Sequence, residues 1–186
     1  YFGSGRGGGV GRAVHWWQAA AEKGHAGAMD SLGGCCLNGL GVSEDPGRAY
    51  RLFSKAAEQG HPPAMSNLGL CFRNGWGVKQ DLSKARHWLC AAAKKGDARA
   101  MSNLGWLYEK GMGVAQDWGR AVNWYRLAAE HGDTDAMANL ARCYLKGEGE
   151  EQDVARALPW LIAAASKGNV TAITNLGVVY AKGIGV

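Results

Sequence analysis

The chain has 186 residues, 47% of them hydrophobic, and a formal net charge of +5. This length and composition allow a buried core, and no apolar run approaches the roughly 18 residues of a bilayer-spanning helix. Membrane insertion is therefore not expected. Nucleic-acid binding is not expected either, because no block of basic residues is interleaved with aromatic ones. Five basic residues share one repeat position and are predicted to form a solvated face: Arg12, Arg48, Lys84, Arg120 and Arg156.

The sequence repeats every 36 residues without an insertion. Each repeat has an alanine and, four residues later, a leucine. The alanines are Ala28, Ala64, Ala100, Ala136 and Ala172, and the leucines are Leu32, Leu68, Leu104, Leu140 and Leu176. Such a fixed period indicates a repeat protein in which each unit is one supersecondary motif.

The first element of each repeat is a predicted helix, which we call helix A. One example runs from about Pro62 to Asn74, where Ala64, Leu68 and Phe72 follow the spacing of one buried helical face. A Gly-x-Gly turn follows, with glycine where a positive φ is expected.

The second element is helix B, predicted from Leu82 to Lys95 and capped by Asp81, which accepts from the free amides of its first turn. Its apolar residues, such as Ala85 and Leu89, recur at helical spacing. A large residue of helix B also recurs every 36 residues, and we predict that it forms the core. This series is Trp16, Leu52, Trp88, Trp124 and Trp160.

These residues resemble the Sel1-like repeat (SLR) family, a relative of the tetratricopeptide repeat. The family pattern A-x-x-x-L-G-x-x-Y-x-x-G-x-G-V-x-x-D-x-x-K-A-x-x-W-Y-x-x-A-A-x-x-G is almost complete between Ala100 and Gly132. The resemblance implies an all-α fold, a right-handed α/α solenoid of helix-turn-helix repeats with about ten helices.

We expect one solenoid domain over residues 1–186. It would comprise a partial repeat (1–27), four complete repeats (28–63, 64–99, 100–135 and 136–171) and a second partial repeat (172–186). Neither end carries the polar cap that terminal repeats normally have. We therefore expect a fragment of a longer chain, or end-to-end self-association.

The resemblance implies a non-enzymatic scaffold that binds a protein or peptide. One alternative is a binder or weak hydrolase of penicillin-like small molecules, as in some cysteine-rich members, and another is a structural spacer. Ala57 and Met65 stand where that cysteine-rich subgroup has a repeated cysteine pair. No Ser-x-x-Lys, Gly-x-Ser-x-Gly, Walker or His-Glu-x-x-His motif occurs, so no catalytic, cofactor or metal site is predicted.

In this family helix A lines the concave face of the solenoid. Residues three, six and ten after the repeat alanine point away from the core face, and we predict that they bind the partner. The predicted binding residues are Asn67, Leu70, Asn74, Asn103, Trp106, Lys110, Asn139, Arg142, Lys146, Asn175 and Lys182.

Each part of this surface also has a structural interpretation. The asparagines either pair with the backbone of an extended peptide or bond the neighbouring repeat. Trp106 is either a binding hot spot or packs on the next helix A. The row Lys110, Lys146 and Lys182 either receives an acidic peptide or is only solvated. Trp76, in a turn, becomes a second contact if it is exposed.

Overall fold

The computed structural model describes residues 7–183, which form ten α-helices and no strand. The even-numbered helices are the predicted A helices, and the odd-numbered ones are the B helices. In chain order they are α1 (Gly7–Glu22), α2 (Ala26–Asn38), α3 (Pro46–Glu58), α4 (Pro62–Asn74), α5 (Leu82–Lys94), α6 (Ala98–Lys110), α7 (Trp118–Glu130), α8 (Thr134–Lys146), α9 (Val154–Ser166) and α10 (Val170–Ala181).

The helices begin where short polar side chains can cap them. Asp81 Oδ1 accepts from the backbone amide of Lys84 at 2.9 Å, as predicted. His25 also caps its helix, because Nδ1 accepts from the amide of Ala28 at 3.1 Å, whereas His61 makes no such bond. Acceptor side chains cap six further helices, α3 and α6 to α10, at Asp45, Asp97, Asp117, Asp133, Asp153 and Asn169.

The Gly-x-Gly turns end the A helices. Gly75 adopts a left-handed conformation with φ 76°, and its amide donates to the Cys71 carbonyl oxygen at 2.8 Å. Gly77 has φ 67°, and a Cβ there would lie 2.1 Å from the Pro46 carbonyl oxygen. Only glycine therefore allows this turn to lie against the start of α3.

A small residue of helix A faces a large residue of helix B in the core. A Cβ at Gly105 would lie 2.7 Å from the Tyr125 ring, and one at Gly69 would lie 2.8 Å from Leu89 Cγ. The two helices of a repeat therefore approach closely, because these glycines leave room for the facing side chain.

The prediction that the tryptophan series forms the core is wrong. Trp16 is 70% exposed, and Trp88 is only half-buried. The buried large residue is the next one along helix B, and in three repeats that residue faces a glycine of helix A. In four B helices this buried residue is Phe53, Leu89, Tyr125 or Leu161.

The chain divides into two compact units, Tyr1–Lys95 and Gly96–Val186. In unit 1, helices α1 to α5 pack each on the next, and α2 also contacts α4. In unit 2, helices α6 to α10 do the same, and α8 contacts α10. The single domain over residues 1–186 stays a prediction, and residues 1–6 and 184–186 of it lie outside the described residues.

Candidate functional site

The A helices bury the face that was predicted to be core and leave the predicted binding positions accessible. In α4, Leu68 is buried, whereas Asn67 and Leu70 are half-buried and Asn74 is exposed. This separation of the faces follows from helical spacing, because positions three, six and ten lie away from positions zero and four.

The same separation holds in unit 2, which contains the other eight predicted residues. Half-buried side chains occupy the third position of each A helix and the sixth position of α6 and α8, and exposed lysines occupy the tenth. The half-buried residues are Asn103, Trp106, Asn139, Arg142 and Asn175, and the lysines are Lys110, Lys146 and Lys182. Each unit thus carries its own part of the predicted surface.

Three of the predicted asparagines make hydrogen bonds within the protein, and one of them is Asn74, whose Oδ1 accepts from Arg73 Nε at 3.1 Å. Asn67 Nδ2 donates to Asp30 Oδ1 at 2.7 Å, which links α4 to the A helix of the preceding repeat. Asn103 Nδ2 donates to the Arg99 carbonyl oxygen of its own helix at 2.8 Å. The bond of Asn67 supports the structural interpretation, in which the amide joins neighbouring repeats.

Unit 2 holds a buried carboxylate that the sequence analysis missed. Glu109 is only 5% exposed, and its Oε2 accepts from the Tyr125 hydroxyl at 2.8 Å. Arg142 Nη2 donates to the same oxygen, and Lys110 Nζ lies 2.8 Å from Oε1. These partners satisfy the carboxylate, as a buried charge requires.

Arg142 is fixed between two carboxylates of unit 2. Besides Glu109, it binds Glu148, with Nη1 2.6 Å from Oε2, and its guanidinium lies 5.7 Å from the centre of the Trp118 ring. Lys146 Nζ lies 3.9 Å from Glu148 Oε1. Arg142 therefore reaches the predicted binding surface as an oriented side chain and not as a mobile one.

Opposing effects set the charge state of Glu109. Burial raises its pKa, whereas hydrogen bonds from Lys110 and Tyr125 and the positive charge of Arg142 lower it, and the net pKa lies below the ordinary value of 4.5. Glu109 is therefore ionised at neutral pH. Burial, followed by the bond to Glu109, raises the pKa of Tyr125, which stays protonated as a donor.

A second group of charges surrounds Glu150, at a position that holds valine in four other turns. Arg126 binds Glu150 Oε1, and Arg156 Nη1 lies 2.6 Å from Oε2. Arg156 Nη2 also donates to the Tyr144 hydroxyl oxygen at 2.8 Å. Glu150 therefore ties the turn after α8 to two B helices, α7 and α9.

The basic residues at the shared position of the B helices, predicted to form a solvated face, also contact aromatic rings. Arg156 lies 4.2 Å from the centre of the Tyr144 ring, and Arg120 lies 5.5 Å from that of Tyr108. Lys84 lies over a third ring, Phe72, at 5.4 Å. These cations cover aromatic rings of the A helices, so three members of the row have a packing role.

The sequence carries no repeat signal for the Glu109 cluster. The position of Glu109 varies between the A helices, where it holds Leu37, Arg73, Leu145 and Ala181. The position of Arg142 varies as well, and it holds Gly34, Leu70, Trp106 and Val178 in the other A helices. Each residue alone therefore appears as an isolated surface charge.

Trp76 meets the condition under which it was predicted to be a second contact, since it is 37% exposed. Over residues 7–183, no group of three His, Cys, Asp or Glu side chains is arranged to bind a metal ion. No helix in the described part of the chain has both the length and the apolarity to cross a bilayer.

The repeat boundaries match a known family across nearly the whole chain. The Sel1 repeat profile matches residues 2–25, 26–61, 62–97, 98–133, 134–169 and 170–186. The chain belongs to the Sel1 repeat family. Sel1 repeat proteins are generally protein-interaction scaffolds, typically without enzymatic activity. No curated protein sequence matches the chain significantly.

Solved Sel1 repeat structures resemble this protein. A Sel1 repeat protein from Oxalobacter formigenes is 38% identical with a TM-score of 0.84, over 91% of this chain and 68% of that one. A protective antigen of uropathogenic Escherichia coli strains, which displays an SLR fold, is 39% identical with a TM-score of 0.81 over 93% of this chain. The present chain covers 37% of that antigen. These matches confirm the predicted fold class.

A more distant structure shares the fold alone. Cysteine-rich protein B of Helicobacter pylori is 21% identical, with a TM-score of 0.57 over 70% of this chain and 94% of that one. In the present chain, the five cysteines are all unpaired. Burial raises the pKa of Cys71 to about 12 and that of Cys143 to about 11, so both are unreactive thiols at neutral pH.

Proposed function

We propose that this Sel1 repeat chain is a non-enzymatic scaffold that binds a peptide or protein segment on the face of its A helices that the B helices leave uncovered. We take this to be the concave face of the family fold. The observation that carries the proposal is the repeated separation of faces, with a buried core face and accessible third, sixth and tenth positions. A solenoid presents such positions as a row along its repeats.

The side chains of this face in unit 2 have the chemistry of a binding surface. Trp106 and Arg142 are of the residue types enriched in binding hot spots, and both are half-buried, so little rotamer freedom remains to be lost on binding. Lys110 and Lys146 are exposed beside them. This combination supports a partner segment that carries acidic residues and an apolar anchor.

In unit 1, the corresponding positions of α4 carry no charged side chain. Leu70 lies between two amides, Asn67 and Asn74, and Asn74 is exposed. Amide side chains both donate and accept, so they suit the backbone of an extended segment. We propose that unit 1 binds the backbone of the partner, whereas unit 2 selects its charge.

The experiment compares partner capture by the wild-type chain with capture by Trp106→Ala and Asn103→Ala. The matched control is Leu127→Ala on helix α7, which also shortens an accessible apolar side chain, since Leu127 is 43% exposed on a B helix. Circular dichroism melts verify that each variant is folded. We expect a specific partner to be retained by wild type and Leu127→Ala, and weakened roughly tenfold by Trp106→Ala.

Equal capture by all four proteins would contradict the proposed face. Loss with Leu127→Ala alone would place binding on the B helices instead. A further pair of variants, Lys110→Glu and Lys146→Glu, tests the charge selection. Both are expected to weaken the binding of an acidic partner and to reduce the salt dependence of binding, because each removes an exposed cation. Since Lys110 also pairs with the buried Glu109, a thermal melt verifies that the Lys110→Glu variant is folded.

A further inference from the structure

One B helix of unit 1 departs from the tryptophan series. Leu52 occupies the position that carries tryptophan in the other four B helices. Leucine is much smaller than tryptophan, and an open pocket of about 160 Å³ lies against Leu52, between α1, α2 and α3. We infer that the pocket lies where this repeat lacks the indole of the others.

The inner wall of the pocket is apolar. Met29 and Leu32 of α2 and Ala21 of α1 line it, and all three are buried. An apolar cavity of about 150 Å³ is large enough to bind benzene. The pocket beside Leu52 has a similar volume but is open to solvent on one side, so it would cover only part of an aromatic ring.

The rim of the pocket carries more positive than negative charge. Arg48 and Lys55 of α3 line it together with one carboxylate, that of Glu22. Arg48 Nη2 donates to Gln18 Oε1 at 3.2 Å, which orients the guanidinium. A guanidinium has five N–H donors, so others are available to a ligand. The net charge of the rim suits a monoanion.

We propose that this pocket binds a small aromatic carboxylate. The ring would lie against Met29 and Leu52, and the carboxylate would lie between Arg48 and Lys55. None of the predicted protein-binding residues lines the pocket. The proposal therefore stands or falls independently of the protein-binding face.

The test is a titration of the whole chain with phenylacetate, followed through the methyl signals of its five methionines. Met29 lines the pocket, whereas Met65 holds the equivalent position one repeat later and serves as an internal control. We expect the Met29 signal to shift saturably, with a Kd on the order of 1 mM for a ligand of about ten non-hydrogen atoms. The Met65 signal is expected not to shift.

Two variants identify the site. Leu52→Trp restores the indole of the other repeats and is expected to weaken binding roughly tenfold or more, because ring and indole compete for one volume. Trp88→Leu is the reverse change one repeat later, and it should leave the Met29 titration unchanged. Thermal melts verify that both variants fold.

The charge of the ligand is tested separately. Phenylacetamide keeps the ring but lacks the carboxylate, so it should bind roughly threefold to tenfold more weakly, and Lys55→Gln should remove part of that difference. Acetate alone should not shift Met29. No saturable shift of Met29 up to about 10 mM phenylacetate, or binding unchanged in Leu52→Trp, would overturn the proposal. Equal affinity for phenylacetamide would overturn the role of the cations.

Discussion

The two units share one repeat pattern but differ in the residues at four equivalent positions. Four positions that are apolar in unit 1 form the ionic network of unit 2, where each residue stands 72 positions further along the chain. The pairs are Leu37 and Glu109, Phe53 and Tyr125, Leu70 and Arg142, and Trp76 and Glu148. The small residue of helix A and the helix caps are common to both units, so these features define the repeat. The four residues listed above differ together between the units.

The difference bears on both stability and recognition. A buried ion pair contributes little net stability compared with apolar residues of similar size, but the loss of one partner is costly. Unit 2 is therefore expected to be more sensitive to single substitutions at these positions than unit 1. Its network also orients Arg142 at the proposed binding face, where unit 1 presents Leu70.

The largest effect is expected for Glu109→Ala, which leaves the Tyr125 hydroxyl and Arg142 without their shared acceptor. We expect the free energy of unfolding to fall by about 3 kcal/mol or more. Leu37→Ala makes the corresponding change in unit 1, and should cost about 1–2 kcal/mol because Leu37 is only half-buried. Denaturant unfolding measures both, and an equal or larger loss for Leu37→Ala would refute the contrast.

The next largest effect concerns a feature that both units share, the glycine of helix A that faces a large residue of helix B. Gly105→Ala would place a Cβ 2.7 Å from the Tyr125 ring and should destabilise the protein by about 1–3 kcal/mol. Gly177→Ala is the same change where no atom lies within 4 Å, and it should be neutral or stabilise by up to about 1 kcal/mol. Similar melting temperatures for the two variants would show that the glycines do not act through this contact.

Conversion of the network sharpens the comparison further. The triple variant Glu109→Leu, Tyr125→Phe and Arg142→Leu gives unit 2 the apolar character of unit 1. We expect its free energy of unfolding to equal that of wild type or to exceed it by about 1 kcal/mol, because the desolvation of the charges is removed. A loss close to that of Glu109→Ala would show that the ionic network itself stabilises unit 2.

The smallest effect is the pH dependence that Glu109 contributes. Its pKa is lower in the folded protein than the ordinary 4.5, so its contribution is fully present above that value and is lost as the pH falls through the folded pKa. Between about pH 5 and about pH 3, wild type should therefore lose more stability than Glu109→Gln, by an amount of the order of 1 kcal/mol or less. Parallel pH profiles for the two proteins would contradict this.

The helices and their boundaries could be predicted because they depend on local chemistry. The caps, such as Asp81, and the turn glycines, such as Gly75, act within a few residues of their own position. The fold followed from the same information repeated five times. Which of two adjacent large residues of helix B is buried could not be predicted in this way, because Trp88 and Leu89 both fit the apolar stripe. Leu89 is the buried one since it faces Gly69 on another helix.

The candidate site could be predicted only in outline. The positions on the accessible face of helix A follow from helical spacing, which is why Asn74 and Lys146 are exposed as expected. Contacts between repeats were not accessible in this way. The bond of Asn67 to Asp30 and that of Arg142 to Glu109 join residues more than thirty positions apart, and each depends on a position that varies between repeats.

The central claim, that the accessible face of the A helices binds the partner, is tested most directly by site-specific photo-cross-linking. A benzophenone amino acid replaces Lys110 or Lys146 on the A helices, or Ile162 on helix α9, where the side chain is 51% exposed. The account predicts cross-links to one partner segment from positions 110 and 146 and none from position 162. Cross-links from position 162 alone would contradict it.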